Sequence, residues 1–410
     1  MIPLIITIIF LAAWHGLTPV SGIGKKLMLL FFNISILLYF INLFTLLTLF
    51  ILLFMIYIFG KLLHPDWSGE KTPLHRFILF SALLLPLFFL GSVKYEWFQK
   101  LTGLYTSQQF RYYRINFFED IGLSYLVFKS IHWTVDCYRG KINRFHTADF
   151  LNYFLFFPVF LSGPMDRYGN FTRWLEHKSA RAKKALFLSG LYRIFTGSIK
   201  SFLLAVLFQK YALDYETVTY TTSPVVKLLT SSLAYSFYIY FNFAGYSDIA
   251  IGTAALLGFK VPENFKNPYL ATNLSDFWKR WHITLSSIAF EYIFIPFVKT
   301  VSERTRLPRL PATIAGYFLV FIVIGAWHGD GINFIWWGLW HGAGLAVYRI
   351  WFELVYVDNK RTKFFFNGNR PGKFTNTIAV LITFLYVSLG WILFHYKPDK
   401  LAVIAGKLGF

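Results

Sequence analysis

His328 lies in a glycine-rich stretch at the end of a long apolar run. Residues 325–331 read GAWHGDG, and such glycines allow tight turns and the close approach of a ligand to the backbone. A neutral imidazole can take a proton from an alcohol near neutral pH, because its unperturbed pKa is about 6.5. We therefore predict a helix break at His328 and a role for this side chain as general base. A hydrogen-bonded structural histidine within the membrane is the alternative.

A second group of polar side chains lies in the stretch NLSDFWKRWH, which ends at His282. Its Asn followed three residues later by Asp276 resembles a capping box and predicts that a helix begins here. Helical spacing then pairs Asp276 with Arg280 and places Trp278 on the same side as His282. The alternative is an interfacial amphipathic helix, with cations at lipid phosphates and tryptophans at the headgroup boundary.

Asp248 lies in an otherwise apolar run, 228–259. A carboxylate at membrane depth costs roughly 2.5 to 3.5 kcal/mol on insertion scales, so it requires a partner or a function. We expect Asp248 to pair with a cation or with a helix N-terminus, in a structural role.

Several classes of site are disfavoured by the sequence. His282, His328 and His341 could instead be metal ligands, but their spacing matches no zinc motif. There is no serine-hydrolase elbow, P-loop or dinucleotide fingerprint, and the single cysteine, Cys137, allows neither an intramolecular disulfide nor a cysteine-rich zinc site. We therefore predict no metal and no bound cofactor.

The composition indicates that a membrane must contain the elements that position these residues. Of 410 residues, 56% are hydrophobic, 21% are aromatic and only 15% are charged, and the mean hydropathy is +0.50. The formal net charge of +20 is explained by the positive-inside rule, so nucleic acid is not an expected partner. The basic stretch 167–184 should then face the cytoplasm and its anionic lipids.

Apolar runs predict an all-α polytopic membrane protein with roughly ten transmembrane or re-entrant helices. Several runs are too short or too polar for a simple crossing, which favours half-length helices around a protein-enclosed cavity. No long linker interrupts 1–410, so we predict a single integral-membrane domain. The candidate spans are 27–59 (one long helix or two segments), 77–93, 121–138, 150–165, 185–208, 228–259, 312–327, 332–347 and 374–396.

Several stretches together resemble the bacterial branch of the membrane-bound O-acyltransferase family. This branch includes the alginate O-acetyltransferases and the D-alanyl transferases of teichoic-acid modification. The stretches run in family order within about 122–342, and several motifs in order are more specific than a single histidine. They read SGPMDR (162–167), YFNFAGYSD (240–248), ENF (263–265), DFWKRWH (276–282) and WHG (327–329).

The resemblance implies a helical fold with a funnel or tunnel through the bilayer. It also implies that His328 is the family's essential histidine and that His282 is its second one. The matched positions supply further candidates for binding or supporting roles: Asp248, Asn264, Asp276, Trp278, Arg280, Trp281 and Trp327. After Ser286, relatives usually continue with a Trp and an Arg-Asp-Tyr triplet, whereas this chain reads SIAFEY at 287–292.

By the same resemblance, we expect a multi-pass protein of the bacterial cytoplasmic membrane that moves a short acyl group, acetyl, to a hydroxyl of an extracytoplasmic cell-envelope polysaccharide. The donor would be a cytoplasmic thioester, acetyl-CoA or an acyl carrier protein. Membrane lipids, the glycan acceptor and a periplasmic or extracellular partner acyltransferase are the other expected partners. D-alanyl transfer to teichoic acid is the near alternative. A membrane transporter is the more distant one, since broken helices and intramembrane charge also occur there.

Overall fold

A computed structural model describes residues 22–41, 43–63, 72–102, 122–176, 180–212, 223–305, 308–354 and 372–408, and the structural statements below concern these residues. Their regular elements are all helical, as the apolar runs predict. The α-helices are α1 (Ile23–Phe40), α2 (Leu43–Leu62), α3 (Pro73–Lys94), α4 (Glu96–Thr102), α5 (Leu123–Tyr138), α6 (Thr147–Leu155), α7 (Tyr168–Glu176), α8 (Ala180–Ser198), α9 (Ala205–Gln209), α10 (Pro224–Leu256), α11 (Leu274–Trp278), α12 (Ile283–Ala289), α13 (Ile295–Thr305), α14 (Arg309–His328), α15 (Ile332–Phe352), α16 (Lys373–His395) and α17 (Pro398–Leu408).

Shorter helical segments join some of these elements. Single π-helical segments, Ile199–Leu204 and Phe290–Phe294, connect α8 to α9 and α12 to α13. Turns of 3₁₀ helix lie at Phe157–Val159 and Pro268–Leu270. A π-helical insertion shifts the side chains that follow it around the helix, and such insertions are frequent at functional sites.

Helices long and apolar enough to cross a membrane are present in the described part of the chain, which confirms a multi-pass membrane protein. By length and composition they are Pro73–Ser92, Lys184–Gln209, Ile283–Thr305, Arg309–His328 and Lys373–His395, with a shorter apolar helix at Leu46–Leu62. About 20 residues are needed to span the hydrocarbon core, since each residue adds 1.5 Å. The total of roughly ten spans stays a prediction.

Two of the predicted spans take a different form. The run 27–59 is predicted to form either one long helix or two segments. It is divided between α1 and α2, so it forms two segments. The run 150–165 is not a span: α6 ends at Leu155, and a 3₁₀ turn containing Pro158 follows. Proline cannot donate a backbone hydrogen bond, so it cannot continue the ladder of α6. This run therefore contains a short helix, in line with the expected half-length elements.

The backbone contacts group the chain into two compact units. The first unit comprises Met1–Gly197 and Tyr246–Pro262, and the second comprises Ser198–Gly245 and Glu263–Phe410. Each unit is described by itself below. The single domain over 1–410 stays a prediction.

Ion pairs and close helix packing organise the first unit. Arg193 of α8 is paired with Asp248 of α10, which confirms the expected cation partner of that carboxylate. Gly190 and Gly252 face each other beside this pair, and a Cβ atom on either would lie 2.7 Å from the carbonyl oxygen of the other. The two glycines therefore allow the backbones to approach, and the ion pair holds the same contact.

A tight helical hairpin, α14 and α15, provides the framework of the second unit. Gly325 and Gly338 lie where the two backbones meet: a Cβ atom on Gly325 would collide with the carbonyl oxygen of Phe334, and one on Gly338 with that of Phe321. Only glycine permits this approach. The hairpin therefore fixes the position of the turn that joins the helices, which contains His328.

Candidate active site

His328 is the last residue of α14, and the predicted helix break is confirmed. Gly329 is extended, with φ −177° and ψ 177°, and Gly331 precedes the first residue of α15. The imidazole therefore lies at the turn that joins the two helices of the hairpin. His328 is half-buried.

Aromatic rings surround the imidazole of His328. Its ring centroid lies 4.8 Å from that of Trp327, 4.9 Å from that of Phe394 and 5.3 Å from that of Trp337. Trp337 and Phe394 meet the imidazole almost perpendicularly, at 89° and 83°. Such edge-to-face contacts fix the plane of a ring.

His282 has a different environment, in which hydrogen bonds hold the ring. Its side chain is buried, and its Nδ1 lies 3.0 Å from Oδ1 of Asn264. Oγ1 of Thr284 donates to the same oxygen at 2.9 Å. Because an amide oxygen accepts, Nδ1 of His282 carries the proton and Nε2 is the acceptor of the neutral ring. Burial lowers the pKa of His282 to about 3, so this ring is neutral near pH 7.

The backbone at His282 corrects one prediction. The helix that begins after Asn273 ends at Trp278, and His282 has φ 42° and ψ 51°, in the left-handed region. A new helix, α12, then begins at Ile283. The prediction that Trp278 and His282 share a helix side is therefore wrong, because no continuous helix joins them. His282 packs against Phe243, with ring centroids 4.7 Å apart, whereas Trp278 packs against Phe321.

The local ionic predictions in the same stretch are confirmed. Oδ1 of Asn273 accepts from the backbone N–H of Asp276 at 2.8 Å, which caps α11. Nε of Arg280 donates to Oδ1 of Asp276, also at 2.8 Å. The carbonyl oxygen of Arg280 accepts from the backbone N–H of Lys266 at 3.0 Å. These bonds hold the turn that carries the tryptophans in a single position.

Trp281 lies on a path of ring contacts that leads to His328. Its centroid is 5.2 Å from that of Trp391, which lies 5.6 Å from that of Phe394. Phe394 in turn contacts the imidazole of His328 at 4.9 Å. Trp281 therefore packs toward the site, with the rings of Trp391 and Phe394 between it and the imidazole.

A cavity of about 360 Å³ lies beside Trp278, whose ring contacts that of Trp337. Trp278, Phe321 and Ile324 form part of its apolar wall, and Ile324 lies one helical turn before His328. Ser275, Lys279, Ser286, Ser287 and Tyr317 contribute polar groups to its lining. A chamber of this size and lining can hold the apolar part of a small ligand with a polar or anionic end.

The sequence comparison identifies the family. The model of the membrane-bound O-acyltransferase (MBOAT) family matches residues 36–394, which is most of the chain. This chain belongs to the MBOAT family. It is accordingly an O-acyltransferase, and the predicted helical MBOAT fold is confirmed.

Individual MBOAT relatives act on different polymers. The chain is 30% identical to a teichoic acid D-alanyltransferase of Bacillus subtilis, over 69% of this chain and 70% of the relative. It is 28% identical to a probable alginate O-acetylase, AlgI, of Pseudomonas aeruginosa, over 82% of this chain and 60% of the relative. A peptidoglycan O-acetyltransferase of Helicobacter pylori is 32% identical over 64% of this chain and 47% of that protein. The chain thus spans less than two thirds of these two acetylating relatives.

The site residues predicted for an MBOAT enzyme fall into three groups. Trp278, Trp281, Trp327 and His328 belong to the aromatic cluster of the second unit. Asn264 with His282, and Asp276 with Arg280, form hydrogen-bonded pairs in the same unit. Asp248 belongs to the first unit, where it is paired with Arg193. Whether each contributes to acyl transfer stays a prediction.

Sequence reasoning missed Trp337 and Phe394, which both contact His328. Trp337 lies one helical turn before His341, and this spacing could have placed both side chains on one face of α15. Phe394 lies on α16, far along the chain, so no local pattern relates it to His328. Among the described residues, no group of three or more His, Cys, Asp or Glu side chains is placed to hold a metal ion.

Proposed function

We propose that this MBOAT enzyme moves a short acyl group, acetyl, from a cytoplasmic thioester to a hydroxyl of an extracytoplasmic cell-envelope polysaccharide, with His328 as general base. The placement of His328 carries the proposal: it is a half-buried residue at a helix break, and its imidazole packs against the rings of Trp337 and Phe394. General-base assistance contributes about 10² to 10⁴ in rate to such reactions.

The reaction needs one proton acceptor and no covalent enzyme intermediate. The hydroxyl oxygen of the acceptor attacks the carbonyl carbon of the thioester while an imidazole nitrogen of His328 takes the hydroxyl proton. The carbon–sulfur bond then breaks, and the departing thiolate receives this proton from the imidazolium. The products are an ester and a free thiol, and His328 returns to its neutral form.

His282 serves the same reaction as a positioning residue in this proposal. Its Nδ1 is bound to Asn264, and Asn264 also accepts a bond from Thr284 at the start of α12. This hydrogen-bonded group fixes one end of the helix that carries Ser286 and Ser287 into the cavity wall. We propose that the cavity receives the apolar arm of a donor or acceptor, and that Lys279 meets its anionic end.

The proposed location is the bacterial cytoplasmic membrane, with the thioester, from acetyl-CoA or a carrier protein, on the cytoplasmic side. The basic stretch 167–184 supports this orientation, because positively charged loops remain on the cytoplasmic side. The glycan, or a partner acyltransferase that passes the acyl group on, would lie on the other side. The reaction therefore requires that the enzyme bring reactants from opposite faces to one imidazole.

D-alanyl transfer to teichoic acid is the second candidate, and the extent of similarity favours it. The match with the Bacillus subtilis D-alanyltransferase covers 70% of that protein, whereas the match with the Pseudomonas aeruginosa alginate relative covers 60%. Both candidates use the same imidazole and the same kind of bond. They differ in the acyl group and in the polymer that accepts it.

Sealed vesicles carrying the full chain distinguish the candidates. Acetyl-CoA labelled in the acetyl group, or a carrier protein loaded with labelled D-alanine, is enclosed inside, and glycan or teichoic acid is supplied outside. Label in ester linkage to the outside glycan supports acetyl transfer, and label on the teichoic acid supports the alternative. Label that crosses the membrane as free acid, with the same rate in the His328→Ala variant, would contradict both and indicate a transporter.

A further inference from the structure

Trp278, Trp337 and His341 form a compact group in the second unit. The ring centroid of His341 lies 4.9 Å from that of Trp278 and 4.9 Å from that of Trp337, and the two indoles are 5.9 Å apart. His341 is completely buried, and Trp337 retains 2% of its exposure. These side chains come from two elements, α11 and α15, which meet at this point.

All the ring nitrogens of this group are buried and have no hydrogen-bond partner among the described residues. They are Nε1 of Trp278, Nε1 of Trp337, and both Nδ1 and Nε2 of His341. Trp340, three residues after Trp337 on the same helix, differs: its Nε1 donates to the carbonyl oxygen of Tyr386 at 3.2 Å. The lack of a partner is therefore not shared by every tryptophan on α15.

The hydrogen-bonding capacity of the group is unbalanced. Each indole has one donor and no acceptor, and a neutral imidazole has one of each, so three donors accompany one acceptor. A buried polar group without a partner destabilises a fold, because it has lost its hydrogen bonds to water. Such a group is stable in a fold when a ligand with oxygen acceptors completes it, and a carbonyl oxygen or oxyanion fits three donors best.

The group also lies beside the proposed base and beside the cavity. Trp337 contacts the imidazole of His328, with centroids 5.3 Å apart, and that of His341, with centroids 4.9 Å apart. Trp278 lines the cavity, and so does Phe321, whose ring lies 5.8 Å from that of His341. Trp278 therefore connects the cavity wall to Trp337, which contacts His328.

We propose that the nitrogens of Trp278, Trp337 and His341 bind the carbonyl oxygen of the acyl thioester. This inference rests on the proposed acyl transfer and names the residues that hold the reacting carbonyl. The hydroxyl oxygen bonds to the carbonyl carbon, and the hydroxyl proton moves to His328. The electron pair of the carbonyl double bond then rests on the carbonyl oxygen. The N–H donors stabilise the negative oxygen until its electron pair re-forms the double bond and the thiolate leaves.

The test removes the N–H group of one tryptophan at a time and keeps the shape of its side chain. Benzothienylalanine, in which sulfur replaces the indole N–H, is incorporated in the full chain at position 278 or position 337. We expect kcat for acyl transfer to fall about 10²- to 10³-fold at either position, because one donor to the oxyanion is lost. KM should change less than kcat, since the bond is strongest in the transition state. The same replacement at Trp340, whose N–H is bound to Tyr386, is the matched control and should leave kcat within about threefold.

A binding measurement makes the result independent of turnover. Infrared spectra of bound acetyl-CoA labelled with ¹³C at the acetyl carbonyl, or of the D-alanyl carrier protein labelled in the same way, report the hydrogen bonds to that oxygen. We expect the carbonyl stretch to move to lower frequency in the wild-type chain and to return toward its free value with the analogue at 278 or 337. His341→Gln, which keeps a donor, should retain more of the shift than His341→Leu.

The outcomes separate this inference from the proposed function. If His328→Ala abolishes transfer but keeps the carbonyl shift, both proposals are supported. If the analogues at 278 and 337 leave kcat and the shift unchanged, the carbonyl site is overturned while His328 remains the base. A wild-type chain that binds either donor without any shift would overturn the inference in the same way, and so would equal losses of kcat at 278, 337 and 340.

Discussion

The regions around His282 and His328 hold the same type of side chain by different means. His282 is buried, lies in a left-handed turn and is hydrogen-bonded to Asn264. His328 is half-buried at a helix end and is held by the flat faces and edges of Trp327, Trp337 and Phe394.

The difference indicates a division of work between the two imidazoles. Hydrogen bonds fix a ring but occupy its nitrogen atoms, so the ring can position neighbours and is less suited to exchanging protons. Ring packing fixes the plane of the His328 imidazole. We therefore propose that His328 transfers the proton and that His282 supports α12.

Replacement of His328 should have the largest effect. His328→Gln keeps a polar side chain of similar length but cannot act as a base near neutral pH, so we expect acyl transfer to fall about 10²- to 10⁴-fold. Far-UV circular dichroism and melting temperature should stay close to those of the wild-type chain, because no backbone contact is lost. His75→Gln, at the capped start of α3, is the matched histidine control and should keep full activity.

The support for His282 should give the next largest effect. Thr284→Val removes the hydroxyl that donates to Asn264 and keeps the side-chain shape. We expect acyl transfer to fall about tenfold, because a lost bond of about 1.4 kcal/mol loosens the start of α12. Thr284→Ser restores the hydroxyl and should recover most of the rate. Equal rates in the two variants would show that Asn264 holds His282 without this bond.

Wider spacing of α14 and α15 should have a smaller effect on the rate. A Cβ atom in Gly338→Ala would press on the backbone of Phe321, so the hairpin must open beside Trp337. Overpacking of this kind costs about 1–3 kcal/mol. We expect a lower melting temperature and a loss of a few fold in acyl transfer. Gly406→Ala in α17, where an added Cβ meets nothing within 4 Å, should change neither quantity.

The ion pair between Arg193 and Asp248 should affect stability alone. Asp248→Asn leaves Arg193 without its charged carboxylate partner, and the partial exposure of Arg193, 31%, limits the cost through screening. We expect the melting temperature to fall and the rate of acyl transfer at low temperature to stay within about twofold. Glu96→Gln removes the partner of Lys100 in an exposed pair and should leave the melting temperature unchanged. A large loss of rate in Asp248→Asn would place this carboxylate in the reaction.

The sequence predicts features that depend on near neighbours. The break at His328 follows from its glycines, the cap at Asn273 from its spacing to Asp276, and the partner of Asp248 from the cost of a charge in lipid. The aromatic rings around His328 could not be predicted from the local sequence, because Phe394 contacts it from α16. The turn at His282 also escapes prediction, because its left-handed backbone interrupts a stretch whose composition suits a continuous helix.

Chemical rescue tests the role of His328 most directly. The full chain with His328→Ala is assayed in sealed vesicles with labelled donor, and imidazole is added in increasing concentration. We predict that transfer is lost in the variant and returns as the concentration of neutral imidazole rises, while the wild-type rate does not change. A variant that transfers the acyl group at the wild-type rate without imidazole would contradict the account.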